Sequence, residues 1–178
     1  LNLQVEPGPS IALVGPSGAR NTTLCNLLPR FYDVTGGRIL IDGQDIRSFT
    51  QKSLREAIGV VQQDVYLFAG TVYENIAYGK PGATREEVIE AAKMAGAHEF
   101  IMALPNGYDT YTGERGVRLS GGQKQRISIA RARMKDAPIL ILDDSVSAVD
   151  TKTETTILQN LRSTRAGKTT ILIAHRIS

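Results

Sequence analysis

A single cysteine, Cys25, is all the thiol chemistry this sequence offers. It excludes an internal disulfide and fits a reducing compartment. Its place on an apolar helical pattern suits a small core residue better than a reactive thiol. No run approaches the roughly 18–20 apolar residues that cross a bilayer, and no secretory leader pattern is visible. Charge of one sign is scarce too. The 21 basic and 18 acidic residues leave +3, which suits a small polyanion such as a nucleotide and is too little to argue for DNA or RNA. Internal repeats and low-complexity segments are missing. What is there is a chain of 178 residues, 42% hydrophobic and 22% charged, enough for one soluble domain with a buried core. Leu1 opens mid-pattern and Ser178 follows an apolar strand, so a longer chain is expected around this piece.

Apolar runs alternate with helical patterns. Residues 1–5 read as a half-buried strand, and Ile11–Val14 as a buried one. A helix carrying Leu24, Leu27 and Leu28 follows and closes at Pro29. Thr35-Gly36-Gly37 turns into a strand over Arg38–Ile41 that Asp42-Gly43 ends. Residues 51–57 predict a short helix and 58–61 a buried strand, with Gln62-Gln63-Asp64 at its carboxyl end. Thr84-x-x-Glu87 is a capping box for a helix to about Ala95, stopped by Gly96. A helical turn over 98–104 ends at Pro105. Asn106–Leu119 is a polar loop, and Ser120-x-x-Gln123 caps a helix to about Lys135. Residues 84–135 thus show no convincing strand. Ile139–Leu142 is a continuous apolar run of the parallel-sheet kind, Thr151-x-x-Glu154 predicts the next helix cap, and Thr169–Ala174 is a last buried strand. The fold class is α/β with a mainly parallel sheet and an inserted helical segment.

Polar residues collect at strand ends, where open α/β sheets bind ligands. Ile11 to Leu28 runs strand, turn, helix, the order that aims backbone N–H groups and a helix N-terminus at phosphate. The turn nearly matches G-x-x-x-x-G-K-[ST]. Gly15 and Thr22 fit; Arg20 stands at the second glycine and Asn21 at the lysine. Downstream, four aliphatics lead into Asp143-Asp144. A phosphate loop followed by such an acidic pair is the arrangement of a P-loop NTPase, with the loop threonine and first aspartate on Mg²⁺.

Leu119-Ser120-Gly121-Gly122-Gln123 narrows this. A serine cap and two glycines leave N–H groups open to an anion at a helix start, and the helix carries Lys124, Arg126, Arg131 and Arg133. With the upstream turn and downstream acidic pair, nearly the whole chain resembles the nucleotide-binding domain of ATP-binding cassette (ABC) transporters. The resemblance implies a RecA-like core over 1–83 and 136–178, a helical signature-motif subdomain over 84–135, and transmembrane domains outside this chain. Gly15, Pro16, Ser17, Gly18, Ala19, Arg20, Asn21, Thr22 and Thr23 would form the Walker A loop around the phosphates of ATP. Ser120, Gly121, Gly122 and Gln123 would contact ATP held by the opposite subunit. Thr22, Gln63 and Asp143 are implied Mg²⁺ ligands. Asp144, Gln63 and His175 are implied catalytic groups: the carboxylate that polarises water, the Q-loop glutamine and the switch histidine. Ser147–Asp150 resembles the D-loop. Thr112–Gly116 is similar to the loop of exporters that, with the Gln63 region, touches the membrane domains. The implied protein is an ABC-type ATPase on the cytoplasmic face of a membrane, paired with a second nucleotide-binding domain and with no nucleic-acid partner.

The sequence departs from that pattern. Asn21 brings no charge where the family has lysine, Arg20 occupies a close-approach glycine, and Asp144 is one methylene shorter than the family's glutamate. Ser145 and Val146 differ from the family as well. The adenine-stacking aromatic of the family would lie upstream of Leu1. A second reading follows: a non-catalytic partner that lends its LSGGQ to a competent subunit.

Overall fold

The computed structural model describes residues 10–15, 39–42 and 44–175, the first six and the last two by backbone alone. Among them a four-stranded parallel sheet runs in the order β1-β6-β5-β4, with β1 Ser10–Gly15, β4 Ile58–Val61, β5 Ile139–Asp143 and β6 Thr169–His175. The expected strand over 1–5, the helix over Leu24–Leu28, Cys25, Pro29 and the residue 35–37 turn lie outside the described residues.

The apolar runs of β5 and β6 split by alternation, because successive strand side chains point to opposite faces. Leu140, Leu142 and Leu172 enter the larger core with helices on one side. Ile139, Ile141, Ile171 and Ile173 face the smaller core, with Ile46, Leu54 and Ile58. Both faces are covered, which is why these strands read as unbroken apolar runs.

On the smaller side, β2 Leu40–Ile41 pairs antiparallel with β3 Gln44–Asp45, so the strand expected over 38–41 is one arm of a hairpin whose other arm carries no apolar pattern. Helix α1, Gln51–Ala57, is capped by Thr50, which accepts from the Ser53 amide.

On the larger side, α3 Arg85–Met94 has the expected Thr84/Glu87 capping box. It ends in a Schellman arrangement: Gly96, at φ +67°, donates to Lys93, and Ala97 donates to Ala92, satisfying the last carbonyls. The short α4, His98–Met102, follows. Helix α5, Gly121–Lys135, opens with the Ser120/Gln123 box and ends at Asp136 in the left-handed region, φ +48°. Helix α6 covers Thr151–Thr164.

One expectation needs correction, and one helix lies where the sequence offered no reading. The cap of α6 is Asp150, whose carboxylate accepts from the Thr153 amide and hydroxyl at 3.0 and 2.7 Å; the Thr151/Glu154 box is shifted by one residue. The segment before Thr84 also holds a helix, α2 Val72–Ala77, with its own Thr71/Glu74 capping box. Asn75 on α2 is 0% exposed and binds Phe68, Thr71 and Thr112 through Nδ2. Its Oδ1 accepts from the Phe68 amide and from Arg131 of α5.

Candidate functional site

The sheet register assembles the carboxyl edge. Gly15, the last residue of β1, lies beside His175, the last residue of β6. Asp143 ends β5 opposite Ile173, and Val61 ends β4 opposite Leu142, with Gln62 and Gln63 just beyond. The start of the phosphate loop, the implied switch histidine, the acidic pair and the Q-loop glutamine therefore sit at one edge. Pro16, Ser17, Gly18, Ala19, Arg20, Asn21, Thr22 and Thr23 lie outside the described residues.

Asp144 adopts φ +53° and donates its amide to the Ile173 carbonyl at 2.7 Å. Aspartate is among the few non-glycine residues that enter this region at modest cost. The turn lifts Asp144 out of the strand while its neighbour Asp143 stays in register; both are half-buried. A carboxylate in this place suits Mg²⁺, which takes one or two protein carboxylates and fills its remaining positions with water and phosphate. Among the described residues no group of three or more His, Cys, Asp or Glu side chains comes together as a metal cage.

Ser145 follows, 0% exposed, and its Oγ has no hydrogen-bond partner among the described residues. Burying an unsatisfied hydroxyl costs about 1–3 kcal/mol. Ser145→Ala removes that penalty at nearly the same volume and is expected to stabilise the fold by about 1 kcal/mol, read by urea unfolding; a destabilised variant would mean the hydroxyl has a partner.

The signature helix reaches this edge from the other side. Ser120 Oγ accepts from the Gln123 amide and Gln123 Oε1 accepts from the Ser120 amide, so the expected cap forms and Ser120 remains exposed. Gly122 packs on the residue 147–149 turn so tightly that a Cβ would stand 2.5 Å from the Ala148 oxygen. Arg126 holds the first turn from below: it donates to Gly122 and Gly96 and lies over the Phe100 ring at 4.8 Å. Its pKa is lowered by burial, with Asp150 opposing. The Asp150 carboxyl is held below its ordinary value by its bonds to Thr153.

One polar residue at this junction carries no motif signal. Gln125 is 3% exposed and donates to the Gln63 carbonyl and Ser147 Oγ while accepting from the Ala148 amide. A glutamine two residues past the signature reads as solvent-facing in a basic helix, and only the packing reveals it.

Thr112–Gly116 is anchored at its start rather than freely solvated. The Thr112 amide and hydroxyl both donate to Gly70 O at 2.8 and 2.9 Å, and Tyr111 bridges to Thr71. Arg131 ties the same region to the segment after Gln63, donating to Tyr66 O and Asn75 O and lying within 6.0 Å of both the Phe68 and Tyr78 rings, which touch each other edge to face. Tyr66, Tyr78 and Tyr111 stand exposed around it. Among the described residues no helix is long and apolar enough to cross a membrane.

Comparison with known proteins adds the lineage. The family model described as ABC transporter matches residues 1–147. A Staphylococcus aureus protein whose name assigns it to multidrug export, as an ATP-binding/permease protein, is 58% identical over all 178 residues, and this chain spans 31% of its length. The similarly named YgaD of Bacillus subtilis is 56% identical over the same span, again 31% of its length. A solved bacterial Atm1-family ABC exporter with ATP bound superposes on 97% of this chain at a TM-score of 0.91 and 55% identity, this chain covering 30% of that one. The chain therefore spans about a third of the length of these relatives. With a parallel sheet and an LSGGQ-capped helix in place and the family model matching most of the chain, the chain belongs to the ABC transporter family and is its ATP-binding part.

Proposed function

We propose that this chain is the nucleotide-driven engine of a membrane exporter, binding ATP and Mg²⁺ and closing on a second nucleotide-binding domain. The observation that carries the reading is the sheet register, which sets Gly15, His175 and Asp143 at one edge, with Gln63 just beyond β4 and bonded through its carbonyl to Gln125 of the signature helix. In this reading residues 15–23 cradle the phosphates, and Ser120–Gln123 face the nucleotide of the opposing subunit. Thr22, Gln63 and Asp143 hold Mg²⁺, which supplies charge neutralisation for the phosphates. Asp144 orients the attacking water, and His175 contacts the terminal phosphate. The exposed aromatic surface near Tyr66 and the Thr112–Gly116 loop meet the membrane domains at the cytoplasmic face. The core covers 1–83 and 136–178 and the signature subdomain 84–135, with α2 lodged against it through the Asn75–Arg131 bonds.

Turnover is set by two defects acting in series. Asn21 and Arg20 weaken phosphate binding. Asp144 leaves the carboxylate short, and a misplacement of about 1 Å costs on the order of 100-fold in rate. Asp144→Glu alone is expected to give little steady-state ATPase, whereas Arg20→Gly, Asn21→Lys and Asp144→Glu together give robust turnover. A triple variant that is folded, binds Mg-ATP and still does not hydrolyse it would defeat the catalytic part of the reading. Robust turnover by Asp144→Glu alone would reverse the ranking of the two defects.

A further inference from the structure

We infer that Gln125 is a positioning residue that couples three segments of the site: the Q-loop end of β4, the first turn of the signature helix and the Ser147–Val149 turn. It rests on the functional reading above for its meaning, since those segments matter together only if they serve one nucleotide site. Its geometry stands independently. The carboxamide is 3% exposed. Its Nε2 donates to Ser147 Oγ at 3.0 Å and to the Gln63 carbonyl at 3.4 Å, and its Oε1 accepts from the Ala148 amide at 3.0 Å. Only one orientation of the amide works: the Ala148 N–H needs an acceptor and the Gln63 carbonyl needs a donor.

Each partner belongs to a different piece of the fold. Gln63 continues β4, Ser147 and Ala148 follow β5, and Gln125 itself rides on α5 one turn below Ser120–Gln123. Gly122 of that same turn touches the Ala148 carbonyl with no room for a Cβ. Ala148 is thus held on its N–H by Gln125 and on its C=O side by Gly122. The signature helix cannot shift against the sheet edge without moving the 147–149 turn or breaking the carboxamide's bonds. Such a buried network transmits displacement because an unpaired member is costly. The carboxamide meets both needs at once, offering a donor to Gln63 and Ser147 and an acceptor to Ala148.

Splitting the donor from the acceptor tests this. The readouts are amide hydrogen exchange at Ala148 and the amide resonance of Asp64, whose nitrogen shares a peptide plane with the Gln63 carbonyl, in the chain without nucleotide. Gln125→Glu keeps the acceptor: Ala148 protection is expected within threefold of the parent while the Asp64 resonance shifts. Gln125→Lys keeps a donor: Ala148 exchanges about tenfold faster and the Asp64 resonance stays. Gln125→Met, close in volume and able to do neither, changes both. In the parent, Ser147→Ala also shifts the Asp64 resonance; in the Gln125→Met background it adds nothing.

If Gln125→Glu and Gln125→Lys perturb both probes alike, or Gln125→Met perturbs neither, the coupling is wrong. An Asp64 resonance indifferent to Ser147→Ala in the parent overturns it as well. Should the lysine variant fail to fold, the glutamate and methionine variants decide the outcome alone. None of these readouts uses ATP, so a chain that bound no nucleotide would refute the functional reading and leave the coupling standing.

Discussion

Restoring glycine at position 20 and lysine at position 21 is expected to tighten Mg-ATP binding by about ten- to hundredfold. Lysine at the family position places a full positive charge among phosphate oxygens, where asparagine supplies only neutral donors. A charge-assisted hydrogen bond is worth roughly 1.5–3 kcal/mol, and each 1.4 kcal/mol is about tenfold in affinity. Glycine at position 20 serves a different need, letting backbone approach phosphate without a Cβ in the way. Arg20 returns some charge, but from a side chain that leaves the backbone at another point and with a planar fork instead of a compact ammonium. The rest of the edge is in order: β1 ends beside His175, and Asp143 ends β5. Calorimetry with Mg-ATP on the parent and the double variant measures the difference. Equal or tighter binding by the parent would show that Arg20 and Asn21 have found another way to hold the phosphates.

What the sequence announces and what it hides follow from the range of the forces involved. The buried strands are legible because both faces of the sheet are covered, so Ile139–Leu142 and Thr169–Ala174 carry unbroken apolar runs. The Ser120/Gln123 and Thr84/Glu87 caps are legible because capping is local chemistry within four residues. Helix α2 escapes notice although Thr71 and Glu74 carry the same pattern, since six residues are too few to display a helical period. Strand β3 is two polar residues, Gln44 and Asp45, and owes its pairing to the turn before it. The α6 cap reads one residue late because Asp150 and Thr151 are both good cap formers; the two bonds from Thr153 decide for Asp150. Gln125 is invisible for a deeper reason. Its burial is imposed by Gln63, 62 positions earlier, and by Ala148, 23 positions later, and no local pattern encodes such partners. At Asp144 the sequence shows only a short carboxylate; the structure adds the left-handed turn that aspartate tolerates.

Arg165→Met is expected to cost about 3–5 kcal/mol of folding free energy, because each buried carbonyl stripped of its donor costs about 1–3 kcal/mol. Arg165 caps the end of α6 at 2% exposure. Its Nε donates to Thr170 Oγ1 at 3.0 Å, one terminal nitrogen to Ala137 O at 2.9 Å and the other to Thr169 O at 3.1 Å. Asp136 Oδ1 lies 3.6 Å away. Burial lowers the guanidinium pKa and Asp136 opposes that shift; arginine starts high enough to keep its charge at neutral pH. Methionine fills much of the volume but leaves those carbonyls without donors. Asp136 keeps Lys168 at 2.7 Å and Arg133 at 3.3 Å, so the larger part of the loss falls on the carbonyls at the starts of β5 and β6. For a chain of this size each kcal/mol moves the melting temperature by roughly 2–4 °C, so a drop on the order of 10 °C is expected by calorimetry. Arg165→Lys keeps the charge without the fork and should fall between the two. A loss below about 1 kcal/mol, the scale of a surface ion pair, would mean that water replaces the guanidinium. These groups cluster at the amino ends of β5 and β6, the opposite edge of the sheet from Asp143 and His175. Nucleotide binding by the chain carrying Arg20→Gly and Asn21→Lys should accordingly survive Arg165→Met at temperatures where the variant remains folded, which separates the residues that hold the sheet from those that use it.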